Sequence, residues 1–238
     1  MELLRLGGID MFFFFLFNPY IAIIGDIKGS KSIKNRNQVQ EKLRATLNEI
    51  NQKYTNDISA KFMITLGDEF QGLLSSGANT MHIISEIERR MYPIKIRFGV
   101  GIGEITTDIN HDMAIGADGP GYYKARAAID YLKENEKRKQ MSASDIRFEV
   151  DGENQGITIT INTILSLLTV IKSAWSDRQR EVIWDMLENE SSQLEAAKRL
   201  NIKQPTVQGI LATGKYYAYR DALDTIGKAL EEIRGDNV

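Results

Sequence analysis

Asp26, in Gly25-Asp26-Ile27-Lys28-Gly29-Ser30, and Asp68, in Gly67-Asp68-Glu69-Phe70, each close an apolar run, residues 20–24 and 61–66. Runs of this kind read as strands. If the two strands are neighbours, both carboxylates arrive at one sheet edge. Such a pair suits a hard divalent cation, Mg²⁺ or Mn²⁺, which binds one or two protein carboxylates and completes its shell with water and substrate phosphates. A nucleotide is the implied partner, with Lys28, Gly29, Ser30, Gly67 and Glu69 beside the two acids as candidate contacts. Gly-Asp pairs are also common turn punctuation, so a purely structural role for both acids stays open.

A glycine-rich loop over residues 116–121 precedes a helix expected over 122–139, whose basic residues include Lys124, Arg126 and Lys133. Free N–H groups at a helix start attract anions, and Lys124 and Arg126 add charge there. Ordinary solvated cations on a surface helix are the competing reading.

The elements that would position these groups follow from periodicity. Val39, Leu43, Leu47, Ile50 and Tyr54 mark one amphipathic helix, and Met81, Ile84, Ile87 and Met91 a second. Residues 61–66 and 71–74 read as a hairpin carrying Asp68 at its tip, and 94–105 alternates like a half-buried strand. The order is β-α-β-β-α-β, the ferredoxin-like arrangement in an α+β fold, in which strands one and three are neighbours and Asp26 meets the Asp68 hairpin. Residues 146–150 and 157–161, around Asp151-Gly152, read as a closing hairpin. The first domain is thus expected over 19–161 and an all-α domain over 162–238, beginning with a connector marked by Ile164, Leu167, Leu168 and Ile171.

In that second domain, residues 176–187 open like a capped helix. Leu194, Ala197 and Leu200 line a short one, Asn201-Ile202-Lys203 turns, and Pro205 sits where a third begins. Helix, tight turn, helix is the helix-turn-helix arrangement for DNA. Gln204, Thr206 and Gln208 are the candidates for base edges, and Lys203, Lys215 and Arg220 for phosphates. Residues 174–238 hold nine Lys and Arg against eleven Asp and Glu, which leaves a dimerisation or interdomain module as the alternative.

Composition narrows the chemistry. The chain has no cysteine, which excludes disulfides and thiolate ligands, and only His82 and His111, which disfavours a histidine metal site. A formal net charge of -2 gives no global basic footprint. The run Phe12-Phe13-Phe14-Phe15-Leu16-Phe17 is too short to span a bilayer and stops at Asn18-Pro19, and the segment before it, with Glu2, Arg5 and Asp10, is unlike a signal peptide. It reads as a disordered or packed extension of a cytoplasmic protein without a membrane.

Three resemblances sharpen these expectations. Arg180-Glu181-Val182, residues 195–202 and Thr206-Val207 resemble the helix-turn-helix of sigma factor region four and of LuxR-type regulators. Asp26-Ile27-x-Gly29 and Gly67-Asp68 resemble the metal motifs of class III nucleotidyl cyclases, and Gly67-Asp68-Glu69-Phe70 the signature of GGDEF diguanylate cyclases. The resemblance implies a palm-type domain that holds metal ions with Asp26, the Ile27 carbonyl and Asp68 against a triphosphate, in a homodimer. Residues 119–126 resemble the cyclase segment with a catalytic Asn and Arg. Arg126 carries over as the catalytic residue, whereas Tyr122 occupies the Asn position, Ile64 the base-selecting Lys position and Leu66 that of the first glycine of GGDEF. The whole architecture resembles the bacterial SatD family. The reading that follows is a regulator whose metal-dependent nucleotide site biases a DNA-binding helix-turn-helix. An active two-metal nucleotidyl cyclase is the alternative, and a DNA-binding or interaction protein with an inert palm domain the third.

Overall fold

A computed structural model describes residues 12–138 and 144–235. The expected helix end at Lys139, and Met11 with the segment before it, lie outside the described residues. Among the described residues five strands form one mixed sheet in the order β2-β3-β1-β4-β5. They are β1 (Tyr20–Ile27), β2 (Ile58–Leu66), β3 (Glu69–Leu74), β4 (Ile96–Gly103) and β5 (Ile146–Val150). The first four pair antiparallel, and β5 runs parallel to β4. Helices α1 (Arg36–Lys53), α2 (Thr80–Met91) and α3 (Pro120–Lys137) interleave with the strands, and α4 (Gln155–Ser173) leads to α5 (Asp177–Asn189), α6 (Gln193–Arg199), α7 (Gln204–Thr213) and α8 (Tyr216–Leu230).

Every residue of β1 is buried, because the sheet is covered on both faces. Ile21, Ile23 and Ile27 join a core with Leu43, Leu47, Ile50 and Ile84, while Tyr20, Ala22 and Ile24 pack with Tyr122, Ala125 and Ile129 of α3. Helix α3 rests almost directly on β4. A Cβ on Gly99 would stand 2.4 Å from the Ala125 carbonyl oxygen, and one on Gly101 2.0 Å from that of Gly121. Only glycine allows this approach.

The hairpin expected over 146–161 is not there. Residues 146–150 form β5, which pairs with β4 from Phe98↔Ile146 to Ile102↔Val150, but 157–161 is the second turn of α4. Ile157, Ile159 and Ile161 alternate like a strand, yet the buried set is Ile161, Leu165, Leu168 and Lys172, spaced four, three and four apart. The β-branched threonines fit because Thr158, Thr160 and Thr163 donate to the carbonyls of Asn154, Gly156 and Ile159. Residues 161 and 162 therefore lie inside one helix. By length and composition α4 is apolar enough to cross a membrane, and here it packs on β5 and α8. The aromatic run is packed in part: Phe13 is buried, and Asn154 holds the Phe14 backbone at 2.9 Å in both directions.

Candidate functional site

Strand register builds the site. Asp26 lies opposite Glu69 on β3 and opposite Arg97 on β4, so the three form a row across the sheet on the face covered by α3. From α3, Arg126, Lys133 and Glu136 come down on the same row. Arg97 donates to Asp26 and, at 2.5 Å, to Glu136. Lys133 Nζ is 3.1 Å from the other Asp26 oxygen. Arg126 grips Glu69 with both terminal nitrogens, at 2.6 and 2.7 Å. Lys28 Nζ lies 2.6 Å from both Glu136 and Asp145. The chain of charges continues from Asp145 to Lys172 at 3.6 Å and from Lys172 to Glu88 at 2.5 Å.

From Asp26 through Arg97, Glu136, Lys28, Asp145 and Lys172 to Glu88 the charges alternate in sign. Its energetics follow from burial, since a desolvated charge is tolerated only beside its opposite. Burial alone would push the Glu136 carboxyl up, but Arg97 and Lys28 outweigh it and hold it below the usual carboxylate range. Arg97 is likewise raised: desolvation acts to lower it, and Glu136 with Asp26 prevails. The bond to Glu69 raises Arg126.

Asp68 goes elsewhere. Its carbonyl accepts from the Ile27 N–H at 3.1 Å, so the strand ends do meet. Asp68 lines a small hollow with Ile27, Ser30, Val39, Gln40 and Gly67 beside α1. Gly67, at φ +62°, makes the hairpin turn, and Gly29, at φ +63°, starts a short 3₁₀ turn over Ser30–Ser32. Lys124 is outside the charge row, 3.5 Å from Asp151.

Helices α5, α6 and α7 form a second candidate surface. Ser176 with Gln179 and Ser192 with Glu195 make capping boxes that start α5 and α6. Asn201, at φ +51°, ends α6: the N–H of Ile202 reaches the Ala197 carbonyl at 2.9 Å and that of Asn201 the Lys198 carbonyl at 3.3 Å, a Schellman turn. Val207 and Leu211 are buried with Ala196, Ala197, Val182 and Ile183. Lys203, Thr206 and Gln208 are exposed at the start of α7, and Gln204 donates to Gln193 at 2.8 Å. Lys215 is exposed at φ +58° before α8. Arg220 bonds Asp221 at 2.8 Å and lies over the Tyr216 and Tyr217 rings.

A sequence profile of the SatD family matches residues 20–214, spanning both surfaces. The chain belongs to the SatD family. Among curated proteins none matches. This SatD family member is similar to a bacterial light-regulated adenylyl cyclase at 12% identity, over 55% of this chain and 75% of the other, with a TM-score of 0.38. The guanylyl cyclase Cya2 also matches at 12% identity, over 48% and 70%, with 0.33. A regulator of polyketide synthase expression from Bifidobacterium adolescentis matches at 12%, over 89% and 85%, with 0.26. No activity is carried across at scores this low.

In this SatD family member the charge row bears on the metal expectation. Both Asp26 oxygens face cations, and among the described residues no group of three or more Asp, Glu or His side chains is placed to hold a metal. With Arg97 and Lys133 on its two oxygens, Asp26 would have to give up an ion pair to take a divalent ion. Sequence reasoning missed Arg97 and Glu136. Both were legible: in β4 the large apolar residues 96, 98, 100 and 102 take one face, which leaves 97 on the Asp26 face, and 126, 133 and 136 share one side of a helix.

Proposed function

We propose that this SatD family member is a DNA-binding regulator whose cyclase-like palm domain serves as a sensor and not as a catalyst. The observation that carries it is a contrast. Asp26 and Glu69 of the cyclase-type motifs are neutralised by Arg97, Lys133 and Arg126, whereas Lys203, Thr206 and Gln208 stand exposed on the helix that follows a tight turn. The ferredoxin-like reading of the palm is supported by the strand order β2-β3-β1-β4, to which β5 adds an edge. The helix-turn-helix reading is supported by three short helices packed around Val182, Ala197 and Val207.

The ligand class most consistent with the palm is a nucleotide bound through its phosphates. Phosphate oxygens would compete with Glu69 and Asp26 for Arg126 and Lys133, the two partly exposed cations of the row. Release of those carboxylates would disturb Arg97 and, through Glu136, Lys28 and Asp145, the Lys172 end of α4. A ligand that prefers one arrangement of this row shifts the protein toward it.

Selection of duplexes from a random DNA library with the full chain tests the first part. Enrichment of a sequence, with binding weakened at least tenfold in Thr206→Glu and steeply dependent on salt, is expected; failure to enrich any duplex refutes DNA binding. Thermal melting with ATP and GTP, with and without Mg²⁺ or Mn²⁺, tests the second. Ligand at a hundred times its dissociation constant stabilises by about 2.7 kcal/mol, and the shift should vanish in Arg126→Ala yet persist without metal. A strictly metal-dependent shift lost in both Asp26→Ala and Asp68→Ala would overturn this reading in favour of a two-metal enzyme.

A further inference from the structure

Helix α4 buries one side and leaves the other bare. Asn162 accepts from the Phe148 N–H and donates to the Phe148 carbonyl, both at 2.8 Å, which pins the helix to the edge strand β5 and fixes its rotation. Ile161, Leu165 and Leu168 are buried, whereas Ile159, Leu167 and Val170 stay 66%, 60% and 51% exposed. Exposed apolar residues scattered singly are ordinary; these three share one stripe. Lys172 is the one charged residue of α4, and it is buried, so the bare side carries no charge. Thr160, Thr163 and Ser166 lie between the apolar residues. Their hydroxyls already donate to the carbonyls of Gly156, Ile159 and Asn162, so covering this side would leave none of those donors unpaired.

The stripe is self-complementary about Thr163. Ile159 and Leu167 stand four residues before and after it, Thr160 and Ser166 three, and Gly156 and Val170 seven. In an antiparallel pair of α4 helices with a twofold axis at Thr163, Ile159 meets the partner's Leu167 and Thr160 the partner's Ser166. Val170 then seats over the partner's Gly156, a position where a Cβ would meet nothing within 4 Å.

We propose that this face of α4 docks a second copy of the chain as an antiparallel twofold dimer. A twofold interface sets one patch against itself, as the symmetry about Thr163 requires. A charged partner would find no counter-charge here. Helices that lie on lipid carry a basic polar face and aromatic anchors, and the bare side has no Lys, Arg or aromatic ring. From Gly156 to Val170 the stripe runs about 21 Å and is about 10 Å wide. That is well below the roughly 800 Å² per partner of a standard interface, so the dimer is weak and governed by concentration. It does not depend on the function proposed above.

Sedimentation equilibrium of the full chain from micromolar to millimolar concentration should show monomer giving way to dimer. Leu167→Glu should weaken the dimer at least tenfold and leave the Tm of the monomer unchanged, because that side chain is exposed. The chain has no cysteine, so introduced cysteines report the geometry. Under mild oxidation Thr163→Cys should crosslink to itself, and Ile159→Cys should crosslink with Leu167→Cys but not with itself. Ser173→Cys, exposed ten residues beyond the axis, should not crosslink. Monomer at every concentration, a dimer indifferent to Leu167→Glu, or crosslinking of Ser173→Cys as fast as that of Thr163→Cys would each overturn the proposal. Flotation of the wild type with phosphatidylglycerol vesicles in the absence of a dimer would overturn it too, and would give the face to lipid.

Discussion

Replacement of Lys172 by methionine should destabilise the protein far more than a surface substitution does. The Lys172 side chain is nearly completely buried, 2.5 Å from Glu88 and 3.6 Å from Asp145. Burial by itself would lower the pKa of the ammonium, but Glu88 and, less strongly, Tyr219 and Asp145 raise it above the ordinary lysine value. Methionine has nearly the same volume, so packing is preserved while Glu88 loses its cation. Removal of one partner of a buried pair costs about 3–5 kcal/mol. Glu88 and Asp145 keep partial solvent access, and Asp145 keeps Lys28 at 2.6 Å, which places this case at the lower end, about 3 kcal/mol. For a chain of this size that is a fall in Tm of roughly 6–12 °C. Melting followed by circular dichroism at neutral pH measures it, and the double variant Lys172→Met, Glu88→Gln should regain most of the loss because no charge is then left unpaired. A raised lysine pKa contributes stability that is complete below the unfolded value of about 10.4 and is lost as pH rises beyond it, so the gap between wild type and single variant should narrow only in strong alkali. A single variant within about 1 °C of wild type, or a double variant no better than the single, would refute the reasoning.

Gly101→Ala puts a methyl group 2.0 Å from the Gly121 carbonyl, a clash with backbone that should cost about 3 kcal/mol or more, read as insoluble expression or a drop in Tm of around 10 °C. Ser192→Ala removes one half of a capping box and should lower stability by about 1 kcal/mol in urea unfolding. Glu86 is held below its usual pKa, burial opposing and Lys53, Arg90 and Tyr54 prevailing; its contribution is present above about pH 4.3 and lost as pH falls through the folded value. The wild type should therefore lose Tm on acidification more steeply than Glu86→Gln, and parallel profiles would contradict the assignment.

The sheet domain was legible where one period dominates. The stripe Leu43, Leu47, Ile50 gave α1, and the glycine and acidic punctuation at residues 67–69 gave the turn between β2 and β3. It failed at residues 157–161, where alternate isoleucines satisfy period two over five residues and only the longer run to Lys172 reveals period 3.6. The position of Asp26 at a strand end was readable, but its partners were not. Ion pairing depends on which cations the register and α3 bring within 4 Å, and Arg97 and Lys133 lie 71 and 107 residues away in the chain. The sequence also leaves the side on which Asp68 falls undetermined, because a turn residue follows no face rule.

The close seating of α3 on β4 has a consequence for the charge row. With Gly99 and Gly101 beneath it, the helix is stopped by backbone against backbone, so the spacing between the strand that carries Asp26 and the helix that carries Lys133 is set by hard contact and not by their attraction. Ion pairs elsewhere loosen when salt weakens the force that closes them. Here the pitch of the assembly is machined into the main chain, and strong brine can quiet the charges without lifting the helix that carries them.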